Sequence, residues 1–480
     1  PYGATTWRPA LAPGAPLPPR SRVLKTFRDL MPYMRHHRWK LALGMLLIVI
    51  NGFFSTLTPI IPGRAIDEFR NQTMTYGKLW LYVAALVGVM AVAGFAMVFV
   101  RRVFLHASWE VQFDIRHAIF KHFTRLDGGY FDRTRVGDLM ARLTADLGAV
   151  RMLAGVAIFQ GLNTIFLFGF TFYRMFSLSP QLSLITLTTA PLISLTFYLL
   201  LRVVHRRYKY VQEQFSDVSS MAQENFSGIR VVKGFGIEDR EVSTFGRLND
   251  EFVKRNLALT RVDGPLFPMM EFLFGVTMSL LLLIGGRLVL GIGGNLSVGE
   301  FSSFVFLYEG IQWPMISLGW IGSLVQRGTT SWGRLNEILT SVPKVADGPH
   351  TNYELRSVKG HIEFKDVSVT FDGVKALDRV SFAIEEGEAV GITGRTGAGK
   401  TLIVNLIARV MDPDEGQILI DGIDHKLFPV EVLRRFIGLV PQEPFLFSDT
   451  IADNIAYGLP EAPAEVLEPL VLLAAELAQL

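Results

Sequence analysis

Four residues in the last quarter of the chain have the types and spacing to hold a polyphosphate. Gly394, Gly399, Lys400 and Thr401 lie in the stretch GITGRTGAGKT and fit G-x-x-x-x-G-K-T. Glycine accepts the backbone angles that turn successive N–H groups toward one anion. Arg395, Thr396, Gly397 and Ala398 between them add further backbone donors, and Leu402 follows in a helix whose positive end faces the same point. A lysine here reaches the β- and γ-phosphates, and the threonine hydroxyl can ligate Mg2+. The expected chemistry is therefore the binding of a nucleoside triphosphate with Mg2+.

Such a loop works only between a strand and a helix. EAVGIT before it and KTLIVNLIARV after it supply both. HIEFKDVSVTF and VSFAIEEGEAVGIT read as strands by their alternation, and GQILIDG reads as another. An α/β nucleotide domain over residues 361–480 is the result, preceded by a linker region at 326–360, in which QRGTTSWGRLNEIL continues as a helix and SVPKVADGPHTNYELRSVKG reads as the linker proper.

The rest of the chain is of a different character. Half of the 480 residues are hydrophobic and 19% are charged, against a usual ~25%. Six apolar stretches, at 41–61, 79–100, 153–173, 182–201, 265–289 and 301–324, are long enough to cross a bilayer, which takes ~20 residues. They make residues 41–325 a six-helix transmembrane domain. Lys and Arg cluster before the first stretch, between the second and third, and between the fourth and fifth, and are sparse in the other connections. That asymmetry puts both termini in the cytosol of a multi-pass protein of the cell inner or plasma membrane.

Residues 1–22, with RPALAPGAPLPPR, read as a disordered cytosolic tail without the apolar core of a signal peptide. VLKTFRDLMPYMRHHRWK, residues 23–40, is basic and amphipathic and reads as an elbow helix on the cytosolic membrane face. A net charge of +3 gives no case for nucleic acid, and the absence of cysteine excludes disulfides, thiol catalysis and Cys-ligated zinc.

Two cytosolic connections are long. No proline interrupts residues 79–126, so a helix there runs ~70 Å at 1.5 Å per residue, and residues 201–261 form a second excursion. Each has a short break, LDGGYFDRTRVGDLMARL and AQENFSGIRVVKGFGIEDRE. Stiff levers ending in turns suit the transmission of force.

In this order of parts the chain resembles a half-transporter of the ABC exporter superfamily. YFDRTRVGDLMARLTAD and SGIRVVKGFGIE resemble its two intracellular loops, VTFDGVKALDRVSFAIEEGEAVGITGRTGAGKT the start of its nucleotide-binding domain, and VPQEPFLFSDTIADNIAYG the region of its Q-loop. WPMISLGWIGSLVQRGTTSWGRLNEIL is similar to bacterial multidrug exporters that work as heterodimers. The resemblance implies an ATP-hydrolysing translocase that exports amphipathic, drug-like molecules with a second half-transporter, a heterodimer being favoured. Lipid or peptide export, and a regulatory ATP-sensing half, are the alternatives it leaves open. It implies that Phe371 stacks on the adenine, that Gln442 senses Mg2+ and the γ-phosphate, and that the two loop breaks are coupling helices. The signature loop, the Walker B acids, the catalytic Glu and the switch His of the family belong after the last residue, so these 480 residues carry a partial site whose catalytic residues are unknown.

Two carboxylates fall inside the apolar stretches, Glu271 and Glu309. Charge at that depth faces a cavity or a partner rather than lipid. The expectation is a shared substrate cavity for cationic amphipaths, with Gln312 and Trp313 beside it; the alternative is that the acids are protonated and bonded between helices.

Overall fold

The computed structural model describes residues 20–371, 373–442, 444–459 and 463–479, so residues 1–19 of the expected tail lie outside the described residues. The chain divides into two compact units. Unit one comprises Pro1–Thr124 and Arg135–Ser341, and unit two comprises Arg125–Thr134 and Val342–Leu480.

Unit one is helical. α1 (Arg20–His36) is followed by α2 (Arg38–Leu57), α3 (Ile60–Arg70) and α4 (Tyr76–Phe123). After α5 (Gly128–Arg133), which belongs to unit two, come α6 (Val136–Leu178), α7 (Pro180–Ser227), α8 (Ile229–Phe235), α9 (Glu238–Asp263), α10 (Leu266–Val289) and α11 (Val298–Leu339). The helix starts follow local chemistry. Thr75 accepts from the Lys78 N–H at the start of α4, and Ser179 does the same for Leu182 ahead of Pro180 in α7. Ser297 and Glu300 form a reciprocal capping box on α11. Without an internal break, the 48 residues of α4 span ~72 Å.

Five helical stretches are long and apolar enough to cross a membrane: Arg38–Arg70, Tyr76–Phe123, Val136–Leu178, Pro180–Ser227 and Glu238–Val289. The sixth expected span falls on α11, which has the length at 42 residues but is more polar, with Glu309, Gln312 and several serines. The first expected span, 41–61, is not one helix. It crosses the junction of α2 and α3, because Pro59 cannot donate to the α2 ladder. Within the expected linker region, the stretch read as a continuing helix is helical: α11 runs to Leu339, with Leu324, Trp332, Leu335 and Ile338 all buried.

Two apolar clusters hold unit one. One joins Leu30 of α1, Ile115 and Ile119 of α4, Leu147 and Leu153 of α6 and Leu335 of α11. The other joins Met175, Leu182, Met270, Phe274, Phe304 and Leu307, from α6, α7, α10 and α11. Burying such side chains contributes roughly 1.5–3 kcal/mol each. α7 and α9 pack side by side, with Gln214 donating to the Leu248 carbonyl at 3.0 Å and Phe215 against Phe252.

Unit two has a four-stranded antiparallel sheet in the order β2-β1-β3-β4, from β1 (Ile362–Phe371), β2 (Val374–Ile384), β3 (Glu415–Ile420) and β4 (Ile423–Asp424). α12 (Lys400–Ile407) packs Ile403 and Leu406 against Phe364, Val367 and Leu377 of that sheet. α13 (Val430–Arg435), α14 (Ile451–Ile455) and α15 (Ala464–Leu477) complete it. The expected strand EAVGIT is not formed. Residues 388–393 are exposed, and among the described residues no neighbouring strand lies beside them to complete a ladder.

Candidate nucleotide site

The loop lies between the end of β2 and α12. Gly397 and Gly399 adopt φ of +87° and +86°, the left-handed region where a side chain is strained. At Gly399 space adds a second constraint. A Cβ there would stand 2.9 Å from Leu377 Cδ2 and 3.0 Å from the Ala376 carbonyl oxygen. The loop is thus seated directly on β2, and only glycine permits that approach. The Gly399 carbonyl accepts from the N–H groups of Leu402 and Ile403, which starts α12.

Lys400 reaches back over the loop. Its Nζ donates to the carbonyls of Gly394 at 2.8 Å and Arg395 at 2.9 Å. The ammonium is therefore held where an anion cradled by the loop would meet it. Residues 391–398 and Thr401 are exposed, so the backbone donors of Gly394 to Gly397 and the Thr401 hydroxyl are open to a ligand, while the Ala398 N–H donates to the Arg395 carbonyl at 3.1 Å. This geometry fits a polyphosphate: glycine angles, a cation over the loop and a helix N-terminus coincide within nine residues.

Phe371 ends β1, opposite Val374, with 43% of its surface exposed. An aromatic face left open at a strand end is available for stacking. Gln442 is exposed in an irregular segment, and among the described residues no hydrogen bond joins it to the loop.

The sequence reading missed the residues that brace this region. Arg409, 3% exposed, donates to the carbonyls of Phe428 and Ala346 and pairs with Asp412 at 3.3 Å. Arg434 donates to the carbonyls of Ala408 and Arg409, just past α12. Burial, with Arg409 beside it, pulls the Arg434 pKa down, and burial pushes that of fully buried His425 down as well. Asn454 holds the segment after Gln442: its Nδ2 donates to the Phe447 carbonyl while its Oδ1 accepts the Phe447 N–H. Single arginines, a histidine and an asparagine carry no spacing signal, so only the folded contacts reveal them.

Of the two loop breaks, α5 groups with unit two, where its Gly128 lies against Val410. α8 caps the α7–α9 excursion in unit one between Gly228 and Gly236, which has φ +61°, and leaves Val231 and Phe235 exposed. In the apolar helices, Glu271, Glu309 and Trp313 are exposed and Gln312 is half-buried. Among the described residues no hydrogen bond links the two acids, and none of the four lines a described cavity.

A phosphate loop on an antiparallel sheet, joined to a membrane-crossing helical unit, defines an ATP-powered membrane translocator. The family model for the ABC transporter transmembrane region matches residues 41–315, and a second model, described as ABC transporter, matches residues 377–477. The chain belongs to the ABC transporter family. It is 32% identical over 458 residues to the multidrug resistance-like ATP-binding protein MdlA of Escherichia coli, covering 94% of this chain and 76% of that protein. It is 29% identical over 428 residues to the probable multidrug resistance ABC transporter ATP-binding/permease protein YheI of Bacillus subtilis, covering 88% and 72%. The ATP-dependent lipid A-core flippase of Aromatoleum aromaticum is 32% identical over 362 residues, 73% of this chain and 58% of that one. The chain is therefore a multi-pass, ATP-binding subunit of an ATP-hydrolysing transporter of the exporter type, working in a lipid bilayer.

Proposed function

We propose that this chain is one half of an exporter that moves amphipathic, drug-like molecules out of the cytosol by alternating access. The observation that carries the reading is one chain in which a glycine loop, seated on its sheet with no room for a Cβ at Gly399, accompanies membrane-length helices whose sequence is broken by two short helices, α5 and α8.

In this reading the backbone of residues 394–399 and the start of α12 bind the ATP phosphates, with Arg395 and Thr396 contributing N–H groups and Ala398 and Leu402 lying against the phosphates in the loop and the first helical turn. Lys400 transfers its ammonium from the Gly394 and Arg395 carbonyls to the β- and γ-phosphate oxygens. Phe371 stacks on the adenine. Thr401 and Gln442 hold Mg2+, which supplies charge neutralisation on the phosphates when bound. Closure of two such halves around ATP pulls on α5 and α8, and the long helices carry the movement to the membrane.

The partner is a second half-transporter, a different chain being favoured. The Lys and Arg distribution supports cytosolic termini, a place in the inner or plasma membrane, and α1 lying on its cytosolic face. Glu271 and Glu309 face a cavity that the second half completes, and select cationic amphipaths. The names of the Escherichia coli and Bacillus subtilis relatives support drug-like cargo, and that of the flippase supports lipid cargo as the second reading.

The test is ATP-driven uptake of a cationic dye into inside-out vesicles carrying the full gene product and its partner. Uptake is expected to vanish with Lys400→Ala and to fall with Glu271→Gln and Glu309→Gln. Uptake unaffected by the two glutamine variants would remove the acids from the cargo path, and dye-independent behaviour throughout would favour lipid cargo.

A further inference from the structure

At the end of unit one that holds α3 and the first turns of α11 lies a cavity of about 700 Å³. Its polarity is graded along α4. Lys78 and Tyr82 stand at one end, and Leu81, Ala85 and Val89 follow one face of the helix for ~12 Å. Leu57 and Ile61 line it as well, and so do Arg64 and Arg174.

The carboxylates that line the cavity, Asp67, Glu68 and Glu300, already accept hydrogen bonds. Glu68 accepts from Lys78 Nζ at 2.9 Å and from the Tyr82 hydroxyl at 3.0 Å. Asp67 accepts from the Ser297 hydroxyl and the Gly299 N–H, and Glu300 accepts the Ser297 N–H. Arg64 and Arg174 have no carboxylate partner among the described residues. Arg174 is held instead with its guanidinium 5.7 Å from the Phe53 ring centroid. Two guanidiniums without a carboxylate partner, beside the apolar row of Leu57, Ile61, Leu81 and Val89, suit an anionic head on an acyl chain.

We propose that this cavity binds an anionic phospholipid of the outer leaflet. Arg64 and Arg174 hold the phosphate, and one acyl chain lies along Leu57, Ile61, Leu81 and Val89. The same two guanidiniums repel a quaternary ammonium, so phosphatidylcholine is disfavoured. The assignment to the outer leaflet rests on the exporter orientation proposed above; the binding itself does not.

The test is native mass spectrometry of the full exporter, partner included, titrated with phosphatidylglycerol or phosphatidylcholine. Phosphatidylglycerol is expected to bind roughly tenfold more tightly than phosphatidylcholine, and Arg64→Gln with Arg174→Gln to abolish the preference. Arg64→Lys with Arg174→Lys should retain part of it. Ala85→Trp, which fills the slot and leaves both arginines, should remove binding. Equal binding of the two lipids, an undiminished preference in the glutamine double variant, unchanged binding with Ala85→Trp, or displacement by millimolar inorganic phosphate would each overturn the proposal. Dye uptake measured on the same preparations separates this outcome from failure of the exporter reading, because lipid preference without uptake upholds the site alone.

Discussion

The two ends of the helical unit are fastened by different means. At the end holding α1 and the last turns of α4 the fasteners are charged side chains. Asp146, 8% exposed, accepts from Ser331 at 2.9 Å and from two nitrogens of Arg334, tying α6 to α11. His37 bridges Glu110 and Asp114 at 3.1 Å each, and Lys40 also pairs with Glu110. At the other end, beside the bonds of Asp67 to Ser297 and Gly299, the helices meet backbone to backbone. A Cβ on Gly63 would lie 2.3 Å from the Gly299 carbonyl oxygen, and one on Gly299 would lie 1.9 Å from that of Gly63. Ion pairs can re-form with new partners after a small displacement, whereas a glycine contact of this closeness is either made or lost. A machine that opens alternately at its two ends would use one adaptable fastening and one all-or-none fastening.

The sharpest way to break this contrast is Gly63→Val. The new side chain meets the backbone of α11, and a loss of about 3 kcal/mol or more is expected, read as loss of folded exporter or a large drop in its thermal midpoint in detergent. Asp146→Ala comes next: it leaves Arg334 and Ser331 without their acceptor, at about 1–3 kcal/mol. Asp67→Ala removes the acceptor of Gly299 and Ser297 but spares the glycine contact, so about 1 kcal/mol is expected on the same melt. A cost for Asp67→Ala equal to that of Gly63→Val would mean that the acid, not the close approach, holds that end.

The smallest effect is on pH. The bond from Lys40, with the nearby charges of Lys40, His37 and His106, holds the Glu110 carboxyl below its usual range against the opposing effect of burial. A carboxylate with a lowered folded pKa contributes stability that is present above its unfolded value, ~4.3, and is lost as pH falls through the lower folded value. Melts recorded from pH 6 downward should fall less steeply below ~4 for Glu110→Gln than for the parent chain, and should show no such change for a Gly63 variant.

The sequence made one kind of feature legible and hid another. Lys400 and the glycines around it could be read because a phosphate loop has a fixed spacing, and the long helices because apolar runs have a bilayer-length signature. Gly63 and Gly299 could not, since each is a lone glycine whose meaning is a neighbour 236 positions away. Arg409 and Arg434 were hidden for the same reason. EAVGIT misled because alternation reports a strand's preference and says nothing of whether a partner strand lies beside it.

α6 contains two widened turns, Arg142–Asp146 and Leu153–Ala157, where the backbone bonds run to the fifth residue instead of the fourth. Each holds one residue more than an ordinary turn, so side chains beyond it lag by about 100°. Two faces must nevertheless stay in phase. Asp146, Leu153 and Thr164 address α11, while Gly155 and Phe159 address Ser108 and Phe104 of α4. The helix therefore keeps count like a vernier. A single-residue deletion inside a widened turn can be absorbed by tightening it, whereas the same deletion in the plain segment 158–178 would rotate everything downstream away from both neighbours.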